Sequence, residues 1–172
     1  GEVLMSVYTL EGERMPEDPR HALQRQVDLL AAEGLHPAGA FELEFFLLEN
    51  TRGPDGKMVP ARDVLDGRVN RKTDVYSVDQ LHGMLPLFND IYAGAKLAGI
   101  KAETLISEFA PGQYELTLHY RTDVMQAADD LMRLKRIVRM HARLHGVTAC
   151  FMAKPNEDYA GSGMHFHVSM LD

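Results

Sequence analysis

The sequence predicts an α+β domain, a largely antiparallel sheet with helices on one face. Three observations predict it. Apolar residues recur at helical spacing in three stretches, each opened by a capping or proline signal and closed by glycine. Three other stretches alternate apolar with polar residues at period two. The elements run strand, helix, strand, helix, hairpin, helix, strand, strand, an order that favours antiparallel neighbours with helices covering one side.

Residues 3–10 are expected as a strand, although the alternation there is imperfect. Asp18-Pro19 starts a helix, with an N-cap acid and proline at the first helical position. Leu23, Val27, Leu30 and Ala31 give it an apolar stripe, and Gly34 stops it. Pro37 precedes a strand over residues 38–48. Residues 50–76 are rich in Gly, Pro, Asp and Arg, and read as a long surface excursion with a short hairpin at Pro54-Asp55-Gly56. The next helix carries Met84, Leu85, Phe88, Ile91, Tyr92 and Ala95 and ends at Gly99; Pro86 suits its first turn better than its middle. Residues 101–108 and 113–120 are strands around the turn Ala110-Pro111-Gly112, a hairpin. Thr122 or Asp123 caps the longest helix. Its buried face is Val124, Ala127, Leu131, Leu134, Val138 and Ala142, and Gly146 ends it. A short strand over residues 147–152 and a loop lead to the last strand, residues 164–171.

The chain has 172 residues, 45% hydrophobic and 25% charged, which suits one globular domain and is too apolar for disorder. No apolar run approaches the ~18 residues of a membrane span. Residues 1–5 carry an early acid and no basic n-region, so they do not read as a secretory signal. The single cysteine, Cys150, excludes an internal disulfide framework, and a reduced, cytoplasmic setting is expected. A net charge of −7 makes nucleic acid and anionic membrane poor partners. An acidic chain still holds a phosphate ligand when a metal cation stands between them.

Residues two apart on a strand share a face. In Phe41-Glu42-Leu43-Glu44-Phe45, the two acids point one way and the apolar residues the other. A half-buried strand beside water reads the same, but strand surfaces favour Thr, Tyr or Lys over two acids among aromatics. In the hairpin, Gln113, Glu115, Thr117 and His119 oppose Tyr114, Leu116, Leu118 and Tyr120, and Glu108 sits across the turn from Glu115. Taken alone, that is an acidic hairpin mouth in solvent. In the last strand, His165, His167 and Ser169 oppose Met164, Phe166, Val168 and Met170; two ordinary histidines on an exposed edge fit as well. Together, these strands put Glu42, Glu44, Glu108, Glu115, His165 and His167 on polar faces that one sheet could share. Clustered carboxylates raise each other's pKa, and a cation resolves the conflict. Mostly oxygen ligands with one imidazole suit Mg²⁺ or Mn²⁺ better than zinc. Two such ions could bridge a nucleotide's phosphates in phosphoryl transfer.

Phe41-Glu42-Leu43-Glu44-Phe45-Phe46, Ser107-Glu108-Phe109-Ala110-Pro111-Gly112-Gln113-Tyr114-Glu115, Phe151-Met152-Ala153-Lys154-Pro155 and Gly161-Ser162-Gly163-Met164-His165-Phe166-His167-Val168-Ser169 resemble the catalytic domain of the glutamine synthetase family. They occur in the family's order, over nearly the whole chain. The resemblance implies an ATP-dependent ligase that joins ammonia or an amine to the γ-carboxyl of glutamate through a γ-glutamyl phosphate. It implies that Glu44, Glu108 and Glu115 hold a first metal, and that Glu42 and His165 hold part of a second, nearer the ATP phosphates. His167 would approach the transferring phosphate and Ser169 the nucleotide. The loop Gly161-Ser162-Gly163 would lie near the amino-acid substrate.

Two departures bear on this expectation. The family often has Asn before Gly-Ser-Gly-Met-His, where it helps hold glutamate; here the position is Ala160. That tilts the acceptor toward an amine, as in a γ-glutamylpolyamine synthetase. The chain is also far shorter than a family member. Residues 1–172 are expected to be part of the catalytic domain, without the small N-terminal β-grasp domain and the C-terminal remainder, inactive in isolation and a homo-oligomer at full length. A relative that keeps only a metal- or nucleotide-binding role is the reading from another class, and the retained acids argue against it.

Other residues carry plainer expectations. Lys154 reads as a phosphate-facing or a solvated lysine, His119 as a residue of the polar face more readily than as a partner of the acids, and Tyr76-Ser77 as the end of the excursion, with no role at the nucleotide assigned. Arg133, Lys135, Arg136, Arg139 and Arg143 read as a solvated helix face. Met132 and Met140 are expected in or beside the core, and Cys150 as buried and inert.

Overall fold

A computed structural model describes residues 2–69 and 72–171, so residues 70–71 of the surface excursion lie outside the described part. The elements are α1 (Pro19–Ala32), β1 (His36–Leu48), α2 (Val78–Gly83), α3 (Leu85–Leu97), β2 (Ala102–Ser107), β3 (Gln113–Leu118), α4 (Val124–Leu144), β4 (Thr148–Cys150) and β5 (Met164–Leu171). The sheet is five-stranded, in the order β2-β3-β1-β4, with β5 also on β1. Every strand pairing among the described residues is antiparallel. The predicted fold class therefore holds.

β1 organises the domain. One of its edges pairs with β3 through residues 42–46. The other is shared, with β5 on residues 36–43 and β4 on residues 46–48. Its odd positions Leu43, Phe45 and Leu47 are buried beside Tyr114, Leu116 and Leu118 of β3, under α3 and α4. Leu87, Phe88 and Ile91 of α3 and Leu131, Leu134 and Val138 of α4 complete this core. Burial of each large apolar side chain contributes about 1.5–3 kcal/mol. On the other face, Phe46, Leu48 and Ala110 form a smaller cluster with Met58, Tyr159 and Ala160. That cluster fastens the surface excursion and the loop before β5 beside the polar positions of β1.

α4 is built as its sequence predicts. The Asp123 side chain accepts from the Gln126 N–H, and the six expected apolar positions are all buried. Pro86 stands in the first turn of α3, and the expected single helix divides at Met84 into α2 and α3. The excursion returns antiparallel along the end of β1, with Glu49 N–H donating to Val59 and Ala61 N–H to Leu47, both at 2.9 Å. No helix among the described residues is long and apolar enough to cross a membrane.

Four expectations need correction. Residues 3–10 form no strand; only an isolated bridge joins Tyr8 to Arg14, and Val3, Met5 and Leu10 are exposed. Period-two alternation without a partner strand leaves the ladder bonds unmade. The α1 stripe is only partly buried, with Leu23, Val27 and Leu30 half-buried and Ala31 exposed; the most buried residue of α1 is His21, bonded to the Val7 carbonyl at 3.0 Å. The basic face of α4 is not simply solvated: Lys135 and Arg139 both lie 5.1 Å from the Phe151 ring centroid. Cys150 is half-buried instead of buried, while Met132 and Met140 are half-exposed flanks, within the expectation for them.

Candidate metal centre

The register of β1 with its neighbours assembles the polar face. Glu42 stands opposite His165 of β5 and Thr117 of β3, and Glu44 stands opposite Glu115. Residues directly opposite in an antiparallel pair project to the same side. Glu42, Glu44, Glu115 and His165 therefore share one face. Ligand-capable atoms of Glu42, Glu115 and His165 all lie within 4.8 Å of one another. Both Glu42 oxygens are engaged, Oε2 by His165 Nδ1 at 2.7 Å and Oε1 by His167 Nε2 at 2.8 Å. Glu108 follows β2 directly; its N–H donates to the Gln113 carbonyl at 2.8 Å, which extends the hairpin one pair toward its turn, two residues before Glu115 on β3.

The electrostatics are frustrated. Glu115 is buried, and burial first, then Glu42, Glu108 and Glu44, push its carboxyl up to about 7. Glu108 is also raised, by burial first, against a hydrogen bond from Phe109 N–H. Glu42 is lowered, chiefly by its bond to His165, and His165 is raised by the same bond. Oxygen donors with an imidazole are the set that Mg²⁺ or Mn²⁺ accepts, and a divalent charge would relieve the repulsion. A Cβ on Gly163 would stand 2.9 Å from Glu44 Oε1 and 3.4 Å from His165 Nε2, so glycine keeps the gap between those groups clear.

The loop before β5 is fastened to this face. Ser162 N–H donates to the Ala153 carbonyl at 2.7 Å, and Glu44 N–H to the Gly163 carbonyl at 3.3 Å. Ser169 lies farther along β5, opposite Ala38, and lines a recess with His167 and Tyr120. His119 turns to its neighbour Tyr120, bonding its carbonyl at 3.1 Å and stacking on its ring. Tyr76 adopts φ 59°, and its N–H donates to the Ser107 carbonyl; Ser77 caps α2. The end of the excursion thus hangs from the residue before Glu108. Lys154 is exposed.

The sequence alone does not distinguish Gln113 from its neighbours on the strand. Gln113 is 1% exposed, and its amide nitrogen reaches Glu44 Oε2 at 3.1 Å and the Gly161 carbonyl at 2.9 Å. Its sequence signal was only a polar residue on the acid-bearing face of β3, which any exposed strand position would give.

Residues 16–172 match the family model described as glutamine synthetase, catalytic domain. The chain is 40% identical over 170 residues to the γ-glutamylputrescine synthetase of Escherichia coli, covering 99% of this chain and 36% of that protein. It is 31% identical over 170 residues to the glutamine synthetase of Thermotoga maritima, covering 98% of this chain and 36% of that protein. Among solved structures, a GmaS/ADP complex superposes with a TM-score of 0.79 at 29% identity, over 93% of this chain and 35% of that one. The chain thus spans about 36% of the length of these curated relatives.

Proposed function

The chain belongs to the glutamine synthetase family, and from that premise we propose that it forms part of an ATP-dependent carbon–nitrogen ligase that joins ammonia or an amine to the γ-carboxyl of glutamate. The observation that carries this reading is the convergence of Glu42, Glu115 and His165 within 4.8 Å, beside Glu44 and Glu108. In it, Glu44, Glu108 and Glu115 would hold one Mg²⁺ or Mn²⁺, and Glu42 with His165 would hold another. Bound there, such ions supply charge neutralisation for the ATP phosphates.

The chain's own groups bind and orient. His167 is held by Glu42 with its imidazole on the side of the cluster, suited to donate toward the transferring phosphoryl group. Ser169, lining the recess beside it, would meet the nucleotide. That the superposed GmaS structure is an ADP complex supports a nucleotide here. Gly161, Ser162 and Gly163 bring main-chain groups close to the amino-acid substrate, as small residues allow. The terminal phosphoryl of ATP passes to a γ-carboxylate oxygen and ADP leaves. The amine nitrogen then attacks the acyl carbon of γ-glutamyl phosphate, loses a proton, and inorganic phosphate departs.

Two observations support an organic amine over ammonia as acceptor. Ala160 packs into the Phe46–Leu48–Ala110 cluster and offers no polar side chain to glutamate. The identity to a γ-glutamylputrescine synthetase is 40%, against 31% to a glutamine synthetase. Further copies of the protein are also partners in this reading. Met164, Phe166, Val168 and Met170 leave the apolar side of β5 exposed, and assembly would cover it.

The test is phosphate release by the full-length protein with ATP, glutamate, Mg²⁺ and a panel of ammonia, short monoamines and diamines. Glutamate-dependent turnover that prefers an amine supports the reading. Turnover with ammonia alone removes the amine preference, and no turnover with any acceptor favours a non-catalytic relative.

A further inference from the structure

We infer that Gln113 is a positioning residue that ties the Glu44 carboxylate to the loop of residues 161–163, so that cation binding and amino-acid binding are energetically linked through it. The inference rests on the ligase reading above. The Gln113 amide nitrogen serves three acceptors: Gly161 O at 2.9 Å, Glu44 Oε2 at 3.1 Å and Ser162 Oγ at 3.4 Å. Its Oε1 accepts from Ala110 N–H at 3.2 Å, in the turn between Glu108 and Glu115. The side chain is 1% exposed, so these bonds have no water to replace them. An amide with two N–H groups divided among a carboxylate, a main-chain carbonyl and a hydroxyl fixes all three relative to one another. Glu44 is joined to the same loop by its own N–H, at 3.3 Å from Gly163 O. Gly163 in turn abuts Glu44 Oε1. A carboxylate rotamer that changes to grip a cation therefore cannot change without moving the loop. By reciprocity, whatever orders the loop also selects that rotamer.

The test measures Mn²⁺ binding to the full-length protein with and without saturating glutamate, in the wild type and in Gln113→Met, which keeps the volume and removes the donors. The wild type should bind Mn²⁺ about tenfold more tightly with glutamate present, and the variant should lose that factor, the ratio being read against the variant's own affinity for Mn²⁺ alone. A purely structural role would lower the melting temperature and leave the factor intact. Should the variant not fold, amide exchange in the wild type decides. Mn²⁺ alone should slow exchange at Ser162 and Gly163 about fivefold or more, and unchanged exchange overturns the inference. A folded variant that keeps the tenfold factor also overturns it, and leaves the ligase reading standing. A wild type that binds no Mn²⁺ overturns both.

Discussion

Glu42 Oε2 lies 2.7 Å from His165 Nδ1, although 123 residues separate the two in the chain. The bond exists because β5 pairs with β1 in a register that sets His165 directly opposite Glu42. A slip of one residue would turn His165 to the helical side of the sheet. The strand that carries His165 and His167 is exposed along its length, so something specific must hold that register. The Phe166 ring does so. It stacks on Phe41 with centroids 4.6 Å apart, and it lies where a Cβ on Gly39 would be, 2.3 Å away.

Gly39→Ala therefore displaces the Phe166 ring and loses the stacking, which costs about 0.5–1.5 kcal/mol. The thermal midpoint should fall by about 1–5 °C, and Mn²⁺ affinity should fall with it, because the imidazoles ride on the same strand. Calorimetry and Mn²⁺ titration on one preparation check this. A midpoint equal to wild type would show that the ring does not pin the register.

Gly163→Ala should separate binding from stability. The backbone there needs no left-handed conformation, and the added methyl enters the gap between Glu44 and His165. Metal affinity is expected to drop about tenfold or more with the melting temperature nearly unchanged. Equal affinities in wild type and variant would place the cation elsewhere.

Stability of the metal-free protein should depend on pH in a defined direction. Glu115 titrates at about 7 when folded, against 4.5 ordinarily, so between those values the folded chain holds a proton that the unfolded chain has lost. Stability then falls as pH rises through that window. His165 acts in the same sense, since its raised pKa contributes stability that is lost as pH rises through its folded value. Glu42 acts on the acid side, where its lowered pKa contributes stability that is lost as pH falls. With chelator present, the melting temperature should decline from about pH 5 to pH 8, and Glu115→Gln should flatten the decline. A rise over that range would contradict the assignment.

Two leucines on amphipathic helices test which apolar stripes carry the fold. Leu134 of α4 is fully buried, and Leu134→Ala should cost about 2–5 kcal/mol in urea unfolding. Leu30 of α1 is only partly buried, and Leu30→Ala should cost roughly 1 kcal/mol or less. Equal losses would mean that α1 packs more closely than its exposure indicates.

These helices also mark what local sequence can say. The stripes of α1 and α4 were equally readable, because helical period depends on neighbours in the chain. Which stripe met the sheet depended on where each helix landed, and periodicity does not encode that. The faces of β1, β3 and β5 were readable for the same local reason, and the acids and imidazoles did fall on one side. Their meeting point was not, since it rests on the register of β1 with two strands distant in sequence. Residues 3–10 misled because alternation describes a strand's surface and does not supply its partner. Gln113 stayed hidden because a buried amide is distinguished from an exposed one only by the loop that closes over it, some 48 residues later.

Glu42, Glu115 and His165, whose ligand-capable atoms lie within 4.8 Å of one another, are expected to join the two adjoining cation positions on this face. Mn²⁺ binding to the full-length protein, followed by electron paramagnetic resonance, tests it most directly. Saturable binding that weakens about tenfold or more in both Glu115→Gln and His165→Ala is the expected result. Binding that is absent from wild type, or undiminished in the two folded variants, would contradict it.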